Sequence, residues 1–277
     1  MDNKLTFILK KPFFVIRYII FIFKYFNDPF SILLKHLHGK EIQSVILRNG
    51  KTFNSYGYGS TALSLYRIWG DYEYGIKPKD VANFNTVIDI GAHIGLFSVF
   101  LGYLNPECKI LSFEMDENNY KNLKKNIKNC NVKNVFPFNC AVSEKSELIN
   151  YYSGRGSSEF SIKKISFSDE KPLIDENKKN VDQIKSVTLN DIIEKNNLNC
   201  IDFLKIDCEG AEYEIIFSIN EDNMKKIKQM GGEYHEFIST TGNEYKVNDL
   251  TRHLSDYGNV KIIPMQEGIG LIQYTKK

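Results

Sequence analysis

The chain has 277 residues, 42% of them hydrophobic and 25% charged, the make-up of a globular protein with its own core rather than of a disordered segment. Its 36 Lys and Arg against 34 Asp and Glu leave a net charge of +2, which gives no argument for nucleic acid as a partner. Five cysteines (Cys108, Cys130, Cys140, Cys200, Cys208) are an odd number without a C-x-x-C pair; they argue against a disulfide framework or a zinc site and for a reducing compartment, the cytoplasm.

Residues 1–40 read as a helical N-terminal extension. Phe13-Phe14-Val15-Ile16 and residues 18–23 are apolar, broken by Arg17 and flanked by Lys10, Lys11 and Lys24. The run is shorter than the ~20 residues a spanning helix needs, and no small-residue cleavage site follows it, so neither a span nor a signal peptide is expected. Two readings stand. The aromatic face packs on the main domain or on a second copy of the chain, or the helix lies on the inner face of a membrane with Lys and Arg at the headgroups. Asp28-Pro29 ends this helix and opens a short second one.

Residues 41–85 read as a β-ribbon and a helix leading into the core. Asn49-Gly50 is a hairpin signal between residues 42–47 and 52–56. An aromatic helix over 61–74 follows, with Tyr72 and Tyr74 as either lid residues or ordinary core. The remainder, 86–277, alternates strand and helix. Thr86–Ile90 is β-branched and apolar around one acid, as in a strand buried on both faces. Gly91 and Gly95 then bracket a turn before an apolar helix. Lys109–Phe113 is the next strand, with Glu114 at its tip; Asp116 caps a helix, and Val135–Phe138 is the third strand. Residues 147–152 and 160–165 read as paired strands around Ser153-Gly154-Arg155-Gly156, and 168–181 as polar and irregular. This stretch, about 147–185, is longer than a simple connection needs and reads as a substrate-facing insertion, with Arg155 able to clamp an anion. Residues 201–206 form the fourth strand, 233–237 the fifth, and 260–265 with 270–275 a terminal antiparallel pair.

Strand, glycine turn and helix open a nucleotide-binding α/β sheet. The spacing from Gly91 is G-x-x-x-G rather than the G-x-G-x-x-G of a dinucleotide site, and Asp89 stands two residues ahead of the first glycine. A carboxylate there repels a pyrophosphate but suits the ammonium and sulfonium of S-adenosylmethionine. Glu114 can accept hydrogen bonds from both ribose hydroxyls. Small residues around Asn139 and Ala141 can border an adenine, with Asn139 or a backbone group meeting its amino nitrogen. Glu233 and His235, two apart, share one face of their strand. His235 or Asp207 is the candidate base for an alcohol acceptor. Alternatively Asp207, Glu209, Glu233 and His235 gather a divalent metal such as Mg²⁺ or Mn²⁺; this is the less favoured reading. An NAD(P)-dependent oxidoreductase and a non-catalytic nucleotide-binding module are the rival classes; against the first stands the absence of the G-x-G-x-x-G fingerprint.

Val87-Ile88-Asp89-Ile90-Gly91-Ala92-His93-Ile94-Gly95, Phe113-Glu114, Asn139-Cys140-Ala141-Val142-Ser143, Ser186-Val187-Thr188-Leu189-Asn190-Asp191 and Phe203-Leu204-Lys205-Ile206-Asp207-Cys208-Glu209-Gly210-Ala211-Glu212 together resemble the FkbM family of methyltransferases. The resemblance covers roughly 42–275 and departs at His93, where the family usually has Asn. It implies an α/β, Rossmann-like class I methyltransferase sheet of order 3-2-1-4-5-7-6 with the last strand antiparallel. It further implies S-adenosylmethionine as donor, bound by Asp89, Gly91, His93, Gly95, Glu114, Asn139, Ala141 and Asp207. The implied reaction is O-methylation of a hydroxyl on a sugar, glycan or secondary metabolite, with Arg155, Glu209 and Glu233 toward the acceptor.

Overall fold

The computed structural model describes residues 12–40, 42–56, 60–153, 160–161, 181–208, 210–238 and 244–277. Arg155, Glu209 and most of the expected insertion lie outside the described residues.

Helix α1 (Pro12–Tyr25) starts on a proline, whose fixed φ suits a first turn. It buries Tyr18, Phe21, Ile22 and Tyr25, an i, i+3, i+4, i+7 stripe. These rings meet Tyr66 and Phe100 at centroid distances of 5.2–6.1 Å, so the extension shares the aromatic core of the main domain. Helix α2 (Pro29–Leu37) is capped by Asp28, which accepts from the Ser31 amide at 3.1 Å. The expected ribbon forms from β1 (Ser44–Ile46) and β2 (Thr52–Asn54). Helix α3 (Thr61–Trp69) is shorter than the sequence pattern predicts, because Gly70 closes it and Tyr72 takes a left-handed φ of 61°. Among the described residues no helix is long and apolar enough to cross a membrane.

The central sheet contains β3 (Thr86–Ile90), β4 (Lys109–Phe113), β5 (Val135–Phe138), β10 (Phe203–Ile206), β11 (Gln229–His235), β14 (Gly258–Gln266) and β15 (Ile269–Lys276). Their spatial order is β14-β15-β11-β10-β3-β4-β5, or 3-2-1-4-5-7-6 when the seven are numbered along the chain and read from β5. β3, β4, β5, β10 and β11 run parallel, and β15 is antiparallel to both its neighbours. The expected fifth strand begins four residues earlier than predicted and takes in Gly231 and Gly232. A Cβ on Gly231 would stand 2.2 Å from the Tyr74 carbonyl oxygen, so the missing side chain lets the Tyr74 loop lie on the strand.

One core cluster, rich in aromatics, lies under α1, α3, α4 (Ser98–Leu104) and α5 (Glu117–Cys130). The other lies under α6 (Leu189–Lys195), α7 (Glu212–Ser218) and α9 (Val247–Ser255), with the short α8 (Glu221–Met224) beside it. A smaller sheet, β6-β9-β7-β8, stands apart: β6 (Ala141–Val142), β7 (Leu148–Ser153), β8 (Phe160–Ser161) and β9 (Val181–Val187). Among the described residues β7 pairs with β9 from Leu148↔Lys185 to Tyr152↔Val181 and with β8 at Tyr152↔Ser161 and Ser153↔Phe160. The sequence reading, which gave β7 to residues 160–165, overlooked β9. β12 (Phe237–Ile238) and β13 (Glu244–Tyr245) form a two-residue pair.

Candidate active site

The sheet order reverses between β3 and β10, and crevices outside the carboxyl ends of strands at such a point are where ligands bind. A cavity of about 340 Å³ opens there, bordered by the turn after β3, the tips of β4 and β10, β6, and Glu233 of β11. Gly91 takes φ 74°, and a Cβ on it would stand 1.8 Å from the Asp207 carbonyl oxygen, so two strand tips close on each other only over glycine. The amides of Gly91 and Ala92 both donate to the Phe113 carbonyl, at 3.0 and 2.9 Å, tying the turn to β4.

Glu114 is the acid at the tip of β4, as expected. Its two oxygens accept from the backbone amides of His93 (2.7 Å) and Asp116 (2.9 Å). Burial pushes its carboxyl up to about 7. A carboxylate offers about four lone-pair sites, so two remain for hydroxyl donors in the cavity it lines. His93 sits at φ 51° in the turn, where its backbone, rather than its ring, meets Glu114. Burial, with Lys205 nearby, brings its imidazole down to about 4, so it is neutral at physiological pH. Gly95 ends the same turn at φ 87° behind the cavity. Ala141, with Cys140, Val142 and Met115, gives one wall of the cavity an apolar surface.

Three expectations need correction. Asp89 does not face the cavity. It is 0% exposed, and its Oδ1 meets Lys205 Nζ at 3.2 Å, so its charge is matched inside the sheet. Burial raises the Asp89 carboxyl and Lys205 opposes that; burial would lower the Lys205 amine, but Asp89 and Asp207 more than offset it and hold it protonated. Asn139 does not line the cavity either: its Nδ2 donates to the carbonyls of Glu114 (3.0 Å) and Met115 (3.1 Å), bracing the β4 tip. His235, 3% exposed, stands behind Glu233. Glu212, in the first turn of α7, draws its ring away: Nδ1 lies 3.3 Å from Glu212 Oε1 and Nε2 3.7 Å from Glu233 Oε2. A carboxylate can only accept, so Nδ1 is the nitrogen that donates to Glu212, and Nε2 is turned to the Glu233 side.

Asp207 and Glu233 do line the cavity. Asp207 Oδ2 accepts from the Tyr74 hydroxyl at 2.7 Å and lies 3.8 Å from Lys205 Nζ. Burial, and then Asp207, raise the Tyr74 phenol well above its usual 10, so it stays a donor. Tyr74 is thus a wall residue rather than a lid. Lys205 also donates to the Gly91 carbonyl (2.6 Å) and lies 5.4 Å from the Tyr74 ring centroid, joining β3, β10 and the Tyr74 loop. Sequence reasoning missed its role, although a lysine in the otherwise apolar Phe203–Ile206 was a visible signal. It also missed Arg67 of α3, which lines the cavity and pairs with Glu73 at 2.6 Å. Among the described residues, no three His, Cys, Asp or Glu side chains gather to hold a metal ion; Glu209, of the expected metal set, is outside them.

The profile described as "Methyltransferase FkbM domain" matches residues 89–260, more than half of the chain. AMB antimetabolite synthetase AmbE of Pseudomonas aeruginosa is 24% identical over 195 residues, which cover 60% of this chain and 9% of that protein. Methyltransferase sdnD of Sordaria araneosa is 25% identical over 175 residues, 54% of this chain and 68% of that protein. The chain therefore corresponds to a small part of the first relative and about two thirds of the second. Among solved structures, precorrin-6y C5,15-methyltransferase of Geobacter metallireducens has a TM-score of 0.38 at 13% identity, over 72% of this chain and 86% of that one. M. capricolum TrmK, in complex with S-adenosylhomocysteine, has a TM-score of 0.41 at 15% identity, over 72% and 67%. The extent of the profile match, which runs from Asp89 in β3 to Val260 in β14, decides the family: this chain belongs to the FkbM-domain methyltransferases.

Proposed function

We propose that the chain transfers the methyl group of S-adenosylmethionine to a hydroxyl of a small-molecule or glycan acceptor. The observation that carries this reading is the charge pattern of the cavity. Glu114, Asp207 and Glu233 border it against Arg67 and Lys205, a net acidic site at the carboxyl ends of β4, β10 and β11. Such a site suits a cationic nucleoside ligand and also supplies carboxylates to take a proton. The residues fit the donor: Glu114 keeps lone pairs for two ribose hydroxyls, the Ala141 wall is apolar enough for a base, and Asp207 stands where an ammonium needs a counter-charge.

The donor, when bound, supplies an electrophilic methyl group. The protein's part is to hold the acceptor oxygen in line and remove its proton. Asp207 lines the cavity with its Oδ2 committed to Tyr74, which leaves Oδ1 as the oxygen to take a proton. Glu233 is the second proton acceptor, with His235 behind it as a positioning residue and Glu212 orienting the imidazole ring. A base so placed is worth roughly 10²–10⁴ in rate.

The test is incubation of the purified chain with S-adenosylmethionine carrying a deuterated methyl group and a panel of sugar and polyketide alcohols, read by mass spectrometry. A labelled methyl on an acceptor oxygen supports the reading. Transfer only to nitrogen or carbon acceptors overturns the hydroxyl assignment, and calorimetric binding of NAD without binding of S-adenosylhomocysteine overturns the donor.

A further inference from the structure

The N-terminal helices bury one face in the core and expose the other. On α1 the uncovered positions Phe13, Ile16 and Ile20 are 82, 54 and 61% exposed. Their spacing of three and four places them in one stripe that runs on to Lys24. On α2 the stripe is Phe30, Leu34 and Leu37, at 67, 57 and 74%. The two stripes are joined where Phe23 and Phe30 meet edge to face at 5.1 Å. Six large apolar side chains on two touching helices make a continuous patch of a kind that marks an interaction surface.

Charge indicates what covers it. Residues 1–40 hold seven Lys and Arg against two Asp, a net +5, while the other 237 residues hold 29 against 32, a net −3. Over residues 12–40 the single carboxylate is Asp28, and it is engaged in capping α2. Arg17 is paired with Asp71 at 2.9 Å. Lys24, Lys35 and Lys40 are exposed beside the patch, and so is Arg48, held against the end of α1 by the Phe23 carbonyl. A second copy docking by the same face would bring two positive surfaces together, which disfavours it. An anionic lipid surface matches both features, with aromatic and aliphatic side chains for the acyl boundary and lysines for the headgroups. The 14 described residues of α1 span about 21 Å at 1.5 Å per residue, less than the roughly 30 Å of a bilayer core and long enough to lie along its surface.

We propose that the exposed α1–α2 face is a docking surface for anionic phospholipid bilayers, with Phe13, Ile16, Ile20, Phe30, Leu34 and Leu37 inserting and Lys24 and Lys35 pairing with headgroups. The inference stands apart from the methyl-transfer reading, because none of these residues lines the cavity. Truncation is a poor test, since Tyr18, Phe21 and Ile22 belong to the core. The informative variant is Ile16→Glu with Ile20→Glu in the full chain, both at exposed positions, with the melting temperature as folding control. Flotation is measured with phosphatidylcholine vesicles with and without phosphatidylglycerol. The wild type should float with the phosphatidylglycerol vesicles at low salt and leave them at high salt. The double variant should partition at least tenfold more weakly at an unchanged melting temperature, and Lys24→Glu with Lys35→Glu should lose the preference for the anionic lipid. No flotation of the wild type at low salt overturns the proposal. So does equal flotation with neutral vesicles, or a non-floating dimer in solution that the double variant dissolves.

Discussion

Lys205→Met removes a cation buried inside the sheet and tests whether it supports the turn that forms the cavity floor. The amine meets Asp89 at 3.2 Å, the Gly91 carbonyl at 2.6 Å and the Ile90 carbonyl at 3.4 Å, all within the buried layer between β3 and β10. Methionine fills similar volume, so the principal loss is electrostatic: Asp89, 0% exposed, keeps its charge without its partner. Breaking a buried pair from one side costs about 3–5 kcal/mol, which at about 2–4 °C per kcal/mol for a chain of this size lowers the melting temperature by roughly 6–20 °C. Adding Asp89→Asn removes the stranded charge and should recover at least half of the loss. The pH dependence follows from Asp89. Without Lys205 its folded carboxyl titrates far above the unfolded value of about 3.9, so folding favours the protonated form. The deficit is then small near pH 4 and grows as pH rises through the folded value. Thermal unfolding followed by circular dichroism at pH 5 and pH 8 measures all three. A fall of less than about 2 °C at pH 8, or a double variant as unstable as the single one, refutes this account of the pair.

Gly91→Ala should abolish binding of S-adenosylhomocysteine in calorimetry and lower the melting temperature, because its φ of 74° and a Cβ at 1.8 Å from the Asp207 carbonyl force β3 and β10 apart; retained micromolar affinity would contradict this. Glu114→Gln should weaken that affinity by about 1–3 kcal/mol through lost charged hydrogen bonds. With the Glu114 carboxyl near 7, wild-type affinity should rise as pH rises through about 7, whereas the ligand-free fold loses stability from this group between its unfolded value of about 4.3 and about 7; a flat affinity from pH 6 to 8 would contradict the assignment. Asp207→Asn and Glu233→Gln should each cut kcat by about 10² or more. His235→Ala, acting only through Glu233, should lower kcat less and leave the affinity for S-adenosylhomocysteine unchanged; a larger loss for His235 than for Glu233 would make the imidazole itself the base.

The order of elements was legible because each central strand is a short β-branched run closed by a turn residue of definite use. Thr86–Ile90 ends at Gly91, and no residue with a Cβ fits that approach to Asp207. Asp116 and Thr188 were readable as helix caps and accept from Asn119 (2.7 Å) and Asp191 (3.0 Å). What failed was the direction of side chains. The spacing around Asp89 places its backbone, but the cation that claims it is Lys205, more than a hundred residues away in sequence. Asn139 looked like an adenine contact since it follows a strand tip, yet two carbonyls beside it need a donor and are nearer. β9 was missed because Val181, Ile184 and Val187 recur every third residue, without the alternation of a half-buried strand.

The corrected positions share a physical logic. Three buried acids each accept two backbone amides: Asp202 from Asn85 (2.7 Å) and Thr86 (3.0 Å), Glu114 from His93 and Asp116, and Glu212 from Cys208 (3.0 Å) and Gly210 (2.8 Å). They fix the entry to β3, the turns after β3 and β4, and the loop after β10. Hydrogen bonds to a charged acceptor contribute about 1.5–3 kcal/mol each, enough to hold irregular backbone that has no ladder to support it. Motif acids that invite a chemical reading, Glu114 in part and Glu212 wholly, are thus engaged in holding loops, while Asp207 and Glu233 lie on the supported backbone and face the cavity. Substituting Glu212 should therefore disturb the loop that carries Asp207 and release His235 together, moving KM and kcat at once. Substituting Glu233 should move kcat alone, and that difference separates an acid that builds the site from one that works in it.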